Sequence, residues 1–178
     1  MSNNVNRMIA KLCELFYTST AEVGLFEEVT AGELPDQFQA MLAHNDHMTV
    51  TVEAWYNSLV KLNVLEERRD NDYYSRRIIL SLQRDGTPVQ FGIMRISLSG
   101  LPQIVRMEIE SQALPLGRIM IRHHLMRNVE LDKLWRVTSG PELRKYLKLE
   151  RGTMCYGRTA HILVEKKPAV ELLEIVVP

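Results

Sequence analysis

The sequence predicts an α+β fold: a largely antiparallel sheet with helices on one side. Three observations lead there. Runs at 58–67, 73–82, 89–98, 153–164 and 169–177 are rich in strand-forming residues. Their connections are short, and short connections favour antiparallel neighbours. Gln83-Arg84-Asp85-Gly86-Thr87-Pro88 is a hairpin signal, because Asp-Gly supplies the positive φ values of a tight turn. Helical periodicity is confined to separate segments that cover one side of such a sheet.

Val5, Met8, Ile9, Leu12, Leu15 and Phe16 recur at helical spacing, so an amphipathic helix opens the chain. A second helix starts at Pro35, a residue suited to a first turn, and runs through Phe38, Met41 and Leu42. Met48–Tyr56 is open to two readings. Val50 and Val52 favour a strand, whereas Thr49 could cap a short helix. Pro102 opens a helix through Ile104, Val105, Met107 and Ile109, which Pro115-Leu116-Gly117 interrupts. A strand falls within Ile121–Val137, and Pro141–Leu147 is a short helix with proline at its start. The last two strands are joined by Lys166-Lys167-Pro168.

A chain of 178 residues fits one domain with its own core, and 46% apolar with 25% charged residues argues against disorder. Lys plus Arg balances Asp plus Glu, so the basic excess of a general nucleic-acid binder is missing and no nucleic-acid partner is expected. Cys13 and Cys155 are too few and too far apart for a disulfide framework or a metal motif. Two inert thiols, a polar start and the lack of a spanning apolar run point to a cytoplasmic protein with no membrane span.

No Walker, Rossmann, Gly-x-Ser-x-Gly or His-Glu-x-x-His motif occurs, so nothing calls for a nucleotide, flavin or zinc. His44-Asn45-Asp46-His47 could hold a metal but reads more readily as a polar helix end and loop. His123-His124, taken as strand neighbours, would face opposite ways and could not chelate together. Arg76 sits inside a strand run. If it faces the core its charge needs a partner, and a guanidinium there suits a carboxylate ligand; most strand arginines instead face solvent. Its neighbour Arg77 is expected to be solvated. Glu174 lies among apolar residues, on one side with Leu172 and Val176, with Glu171 opposite. It is either a desolvated carboxyl able to donate a proton or an edge-strand glutamate in water.

An ordered series of short landmarks runs along the chain. It comprises Asp46-His47-Met48-Thr49, Tyr74-Ser75-Arg76-Arg77-Ile78-Ile79-Leu80, Asp85-Gly86-Thr87-Pro88 and Pro115-Leu116-Gly117-Arg118. Leu125-Met126-Arg127, Tyr156-Gly157-Arg158, Lys167-Pro168 and Glu174 follow. In this order the series resembles the chorismate pyruvate-lyase family over residues 45–178, with 1–44 a helical N-terminal part of the same single domain. The resemblance implies a chorismate-lyase-like fold and a lyase that needs neither metal nor organic cofactor, converting chorismate to 4-hydroxybenzoate and pyruvate for quinone or phenolic synthesis. It implies that Arg76 binds the ring carboxylate and that Glu174 acts at the ring hydroxyl and ether oxygen. The backbone amides of Met48 and Leu116 would complete the contacts, with their side chains lining the cavity. Arg76 and Glu174 would thus be the two ends of one site, in a monomer or homodimer.

One departure stands out. Better-characterised relatives carry an arginine just after the strand glycine, where this chain has Ile93 after Gly92; Arg95 shares its face and could compensate. The alternative function is a non-catalytic binding or sensor domain for an aromatic carboxylate, since related folds serve as effector-binding domains of bacterial transcription regulators.

Overall fold

The structure is a computed structural model, and it describes residues 6–125 and 128–177. Val5, Met126, Arg127 and Pro178 lie outside the described residues. Among the described residues seven strands form one sheet, antiparallel throughout: β1 (Gly24–Val29), β2 (Val60–Asp70), β3 (Tyr73–Leu82), β4 (Pro88–Ser97), β5 (Asn128–Ser139), β6 (Met154–Val164) and β7 (Lys167–Val176). Their spatial order is β1-β5-β6-β7-β4-β3-β2. β7 is therefore central, which rules out Glu174 as an edge-strand residue.

Six α-helices among the described residues flank the sheet: α1 (Arg7–Cys13), α2 (Asp36–Leu42), α3 (Met48–Tyr56), α4 (Gln103–Glu110), α5 (Leu116–Arg122) and α6 (Pro141–Leu147). Asn6 caps α1, its side chain accepting from the Met8 amide at 2.7 Å. Pro35 and Pro102 each occupy the position just before a helix. The open reading at Met48–Tyr56 resolves as helix α3, ended by left-handed Asn57 with φ 46°. It starts after His47, so Thr49 is a buried first-turn residue rather than the cap. Pro115-Leu116-Gly117 does more than interrupt: it starts α5, with Pro115 as the residue before the helix. His123 and His124 close α5 and are not strand neighbours.

β1 is not foreshadowed in the sequence. It is an edge strand, and its Gly-Leu-Phe-Glu-Glu-Val run has no clean alternation: Val29 packs into one core and Phe26 against the other, while Leu25, Glu27 and Glu28 are exposed. Glu27 and Glu28 on this edge pair with Arg136 at 3.0 Å and Lys133 at 2.6 Å, a charged rim of the kind that discourages edge-to-edge pairing.

The pleat divides each strand between two cores. Tyr74, Ile78, Leu80, Met94, Ile162 and Leu172 pack under α2, α3, α4 and α5. Ile79, Phe91, Ile93, Trp135, Leu173 and Ile175 pack against α1 and α6 on the other face. Four helices thus share one side, and two seal the reverse. Phe38 of α2 stacks on Tyr156 of β6 with centroids 4.5 Å apart. The start of α6 is fixed by close backbone approach at Gly140, where a Cβ would lie 2.5 Å from the Glu22 carbonyl oxygen.

Gly140→Ala is expected to cost more than about 2 kcal/mol, because the obstructing atoms are backbone. The urea midpoint should fall with an unchanged slope, and an unchanged midpoint would refute the close-approach account.

Candidate functional site

A row of residues crosses the sheet beneath α3 and α5: Ile78, Gly92, Glu174 and Arg158 are successive cross-strand partners on β3, β4, β7 and β6. Gly92 puts no side chain between Ile78 and Glu174. Glu174 and Arg158 are buried at 7% and 1% exposure. Arg158 Nε donates to Glu174 Oε2 at 2.8 Å, and Gln90 Nε2 approaches Oε1 at 3.5 Å. Both carboxylate oxygens therefore act as acceptors, and Glu174 is one half of a buried ion pair.

Over this row lies an enclosed cavity of about 20 Å³, enough for a water molecule and far short of a ring. Met94 and Leu172 join the row in its floor, and His47, Met48, Thr49, Leu116 and Gly117 form its roof. Met48 and Leu116 both line this cavity. Each is the first residue of its helix, where the amide has no acceptor within the helix.

Arg76 is on the same face, fully buried, and does not touch Glu174. The two are separated by two strand steps and two residues, about 12 Å between Cα atoms. Arg76 Nε donates to Met94 Sδ at 3.4 Å and Nη1 to the Ile109 carbonyl at 3.4 Å. Nη2 has no partner. Met94 lines the cavity, so its thioether stands between Arg76 and the enclosed space. The C-terminal end of α4 supplies partial negative charge in place of a carboxylate. Burial holds the Arg76 guanidinium below its ordinary pKa, with Tyr74 and Glu67 working the other way.

The His44–His47 segment forms the loop before α3. His44 Nε2 meets the Met41 carbonyl at 2.6 Å, and Nδ1 accepts from the Asp46 amide at 3.0 Å, so both ring nitrogens are engaged with main chain. His47 turns inward and its Nε2 is buried without a partner. Burial, and then the Arg158 charge, pull His47 down to about 4 and also lower His44.

On the opposite face the expectations change. Arg77 is not solvated: it pairs with Glu66 and Glu142, each at 3.0 Å, and lies over the rings of Tyr17 and Tyr146. Burial pushes Tyr17 up to about 12. Ile93 packs in the α1–α6 core, so an arginine there would face away from the cavity. Arg95 shares that face, stacks on Tyr73 and lies 3.6 Å from Glu171, so it cannot compensate. Both cysteines are free and buried, and burial pushes each thiol up to about 12. Among the described residues no helix is long and apolar enough to cross a membrane.

Arg158 was missed as a site residue, although it belongs to a quoted landmark. Strand alternation carried the signal: Arg158 shares a face with Ala160, Ile162 and Val164, all buried.

A seven-stranded antiparallel sheet flanked by helices in this way is an α+β architecture of the chorismate-lyase-like type. In fold the chain is similar to the ligand-binding domain of a GntR-family transcriptional regulator from Bordetella bronchiseptica, with TM-score 0.51 and 16% identity, over 66% of this chain and 85% of that one. It is also similar to PhnF from Mycobacterium smegmatis, with TM-score 0.59 and 8% identity, over 77% of this chain and 66% of that one. A possible transcriptional regulator, YydK from Bacillus subtilis, matches with TM-score 0.51 and 13% identity, over 66% of this chain and 58% of that one. No family profile and no curated protein matches the sequence. These neighbours overturn the expectation of a lyase: no chorismate lyase is among them, and the regulator domain is a ligand-binding one.

His47 is neutral in the folded protein down to about pH 4, whereas in the unfolded chain it takes up a proton near 6.5. Stability is therefore complete above about pH 6.5 and falls as pH drops toward 4, by at most ~1.4 kcal/mol per pH unit from this residue. Urea midpoints measured across this range should decline less steeply in His47→Gln, and identical slopes would exclude His47 as a source.

Proposed function

We propose that the chain is a non-catalytic binding domain for a small aromatic carboxylate that carries a hydrogen-bonding group at its far end. The observation that carries this reading is Arg76: a fully buried guanidinium with no carboxylate partner and an unsatisfied Nη2, on the face that holds the cavity. A buried charge that is only partly compensated is costly, and a bound anion lowers that cost. Arg76 receives the ligand's carboxylate as a two-pronged donor. The Glu174–Arg158 pair meets the opposite end, and the amides of Met48 and Leu116 complete the polar contacts. Met94 must swing aside for the carboxylate to reach Arg76, a motion its unbranched thioether allows. The apolar floor of Ile78, Leu80 and Leu172 suits a ring. The fold likeness to a regulator's ligand-binding domain supports a binding role.

Calorimetry with 4-hydroxybenzoate and with uncharged 4-hydroxybenzamide tests the reading. The acid is expected to bind and the amide to fail. Arg76→Met should weaken binding of the acid at least tenfold, about 1.4 kcal/mol or more. The ligand-free variant should be as stable as the parent or more so, because a buried unpaired charge is gone. Equal binding of acid and amide, or undiminished affinity in the variant, would overturn the proposal.

A further inference from the structure

Arg158 holds two things at once. Nε is bonded to Glu174, while Nη1 donates to the His44 carbonyl at 3.0 Å and Nη2 to the Asp46 carbonyl at 2.9 Å. The guanidinium is planar and rigid, so its three engagements move together. It therefore ties the cavity floor to the loop that leads into α3.

That loop separates two spaces. On its inner side is the enclosed cavity. On its outer side is an open groove of about 650 Å³ between α2, α3 and α5, walled by Val50, Trp55 and Ile121. His47 lines both. A ring cannot fit the closed cavity, so some part of the wall must move when one binds. The floor is held by the sheet ladder, and α5 is tied to α3 through Arg118 and Glu53. Besides Arg158, the bond that fastens the loop to the sheet is the exposed contact from the Leu131 amide to Asn45 Oδ1 at 3.1 Å. The loop also gains by moving: His47 Nε2 is buried without a partner in the closed position and meets water outside it.

We propose that Arg158 is a latch: a ligand group that engages Glu174 draws the guanidinium off the His44 and Asp46 carbonyls, the loop swings outward with His47, and the groove beside α3 changes shape. The inference rests on the ligand-binding reading above and adds the route by which occupancy reaches the surface. Arg158 is a positioning residue in this scheme. The groove, with Val50, Trp55 and Ile121 at 47%, 49% and 43% exposure, is the face that reports it.

The chain contains two tryptophans, and they stand in contrasting places. Trp55 lines the groove, while Trp135 is buried on the other face with Nε1 bonded to Thr159 at 3.2 Å. Fluorine NMR of protein carrying 5-fluorotryptophan reads both. Saturating 4-hydroxybenzoate is expected to shift the Trp55 resonance by more than its linewidth and leave Trp135 in place. Arg158→Met should show a Trp55 resonance moved the same way without ligand, with little further change on addition. Two results would sink the latch: 4-hydroxybenzoate that binds by calorimetry without moving Trp55, or a ligand-free Arg158→Met with Trp55 at the parent position. If 4-hydroxybenzoate does not bind, the ligand reading fails, and the ligand-free variant spectra still decide the latch. If Arg158→Met loses its Trp135 signature and so does not fold, Arg158→Lys, whose single ammonium cannot hold Glu174 and both carbonyls at once, replaces it under the same criterion.

Discussion

A guanidinium can be buried only when something answers its charge, and this face of the sheet buries two. Arg158 is answered by Glu174, its direct cross-strand partner, and by two loop carbonyls. Arg76 has no carboxylate in contact: it is answered by a thioether, one carbonyl and the end of a helix, with Tyr74 and Glu67 contributing from nearby. Much of the upper layer follows from this difference. The loop before α3 is placed by what Arg158 demands, and α4 approaches with its C-terminal end where Arg76 needs negative charge. The cavity lies between the satisfied cation and the unsatisfied one.

Most of the sheet could be read from residue patterns. β2, β3, β4, β6 and β7 show the dense strand-forming runs of a sheet covered on both faces, and side chains alternate between those faces along each strand. The same alternation set Arg76 against Arg77 and Glu174 against Glu171, and the structure keeps both divisions. β1 was hidden because its few apolar residues are split between the faces: Val29 belongs to one core, Phe26 packs against the other and Leu25 is exposed, so no period of two shows. α5 was hidden because Pro115 reads equally as a break and as a beginning, and only the packing of Leu116, Ile119 and Met120 decides.

The site was legible in its ends and not in its link. Arg76 and Glu174 looked like a pair because each is a charge in an apolar run. Strand register places them about 12 Å apart, with Glu174 matched to Arg158 instead. No local pattern contains that match, because it depends on how residues 16 apart in sequence align across the β6–β7 hairpin. The doubt attached to Ile93 disappears for the same kind of reason: its position faces the other core, a fact that parity along β4 already encodes.

The central place of β7 has a consequence for how the protein is made. During synthesis β2, β3 and β4 can pair with one another, and so can β1, β5 and β6. Neither group touches the other through the sheet until β7 is inserted, since β7 alone joins β4 to β6. Until then the emerging chain carries two open sheet edges rich in apolar residues, a state prone to wrong pairing. The strand that carries Glu174 is thus also the keystone of the sheet, and completing the fold and completing the site become one event.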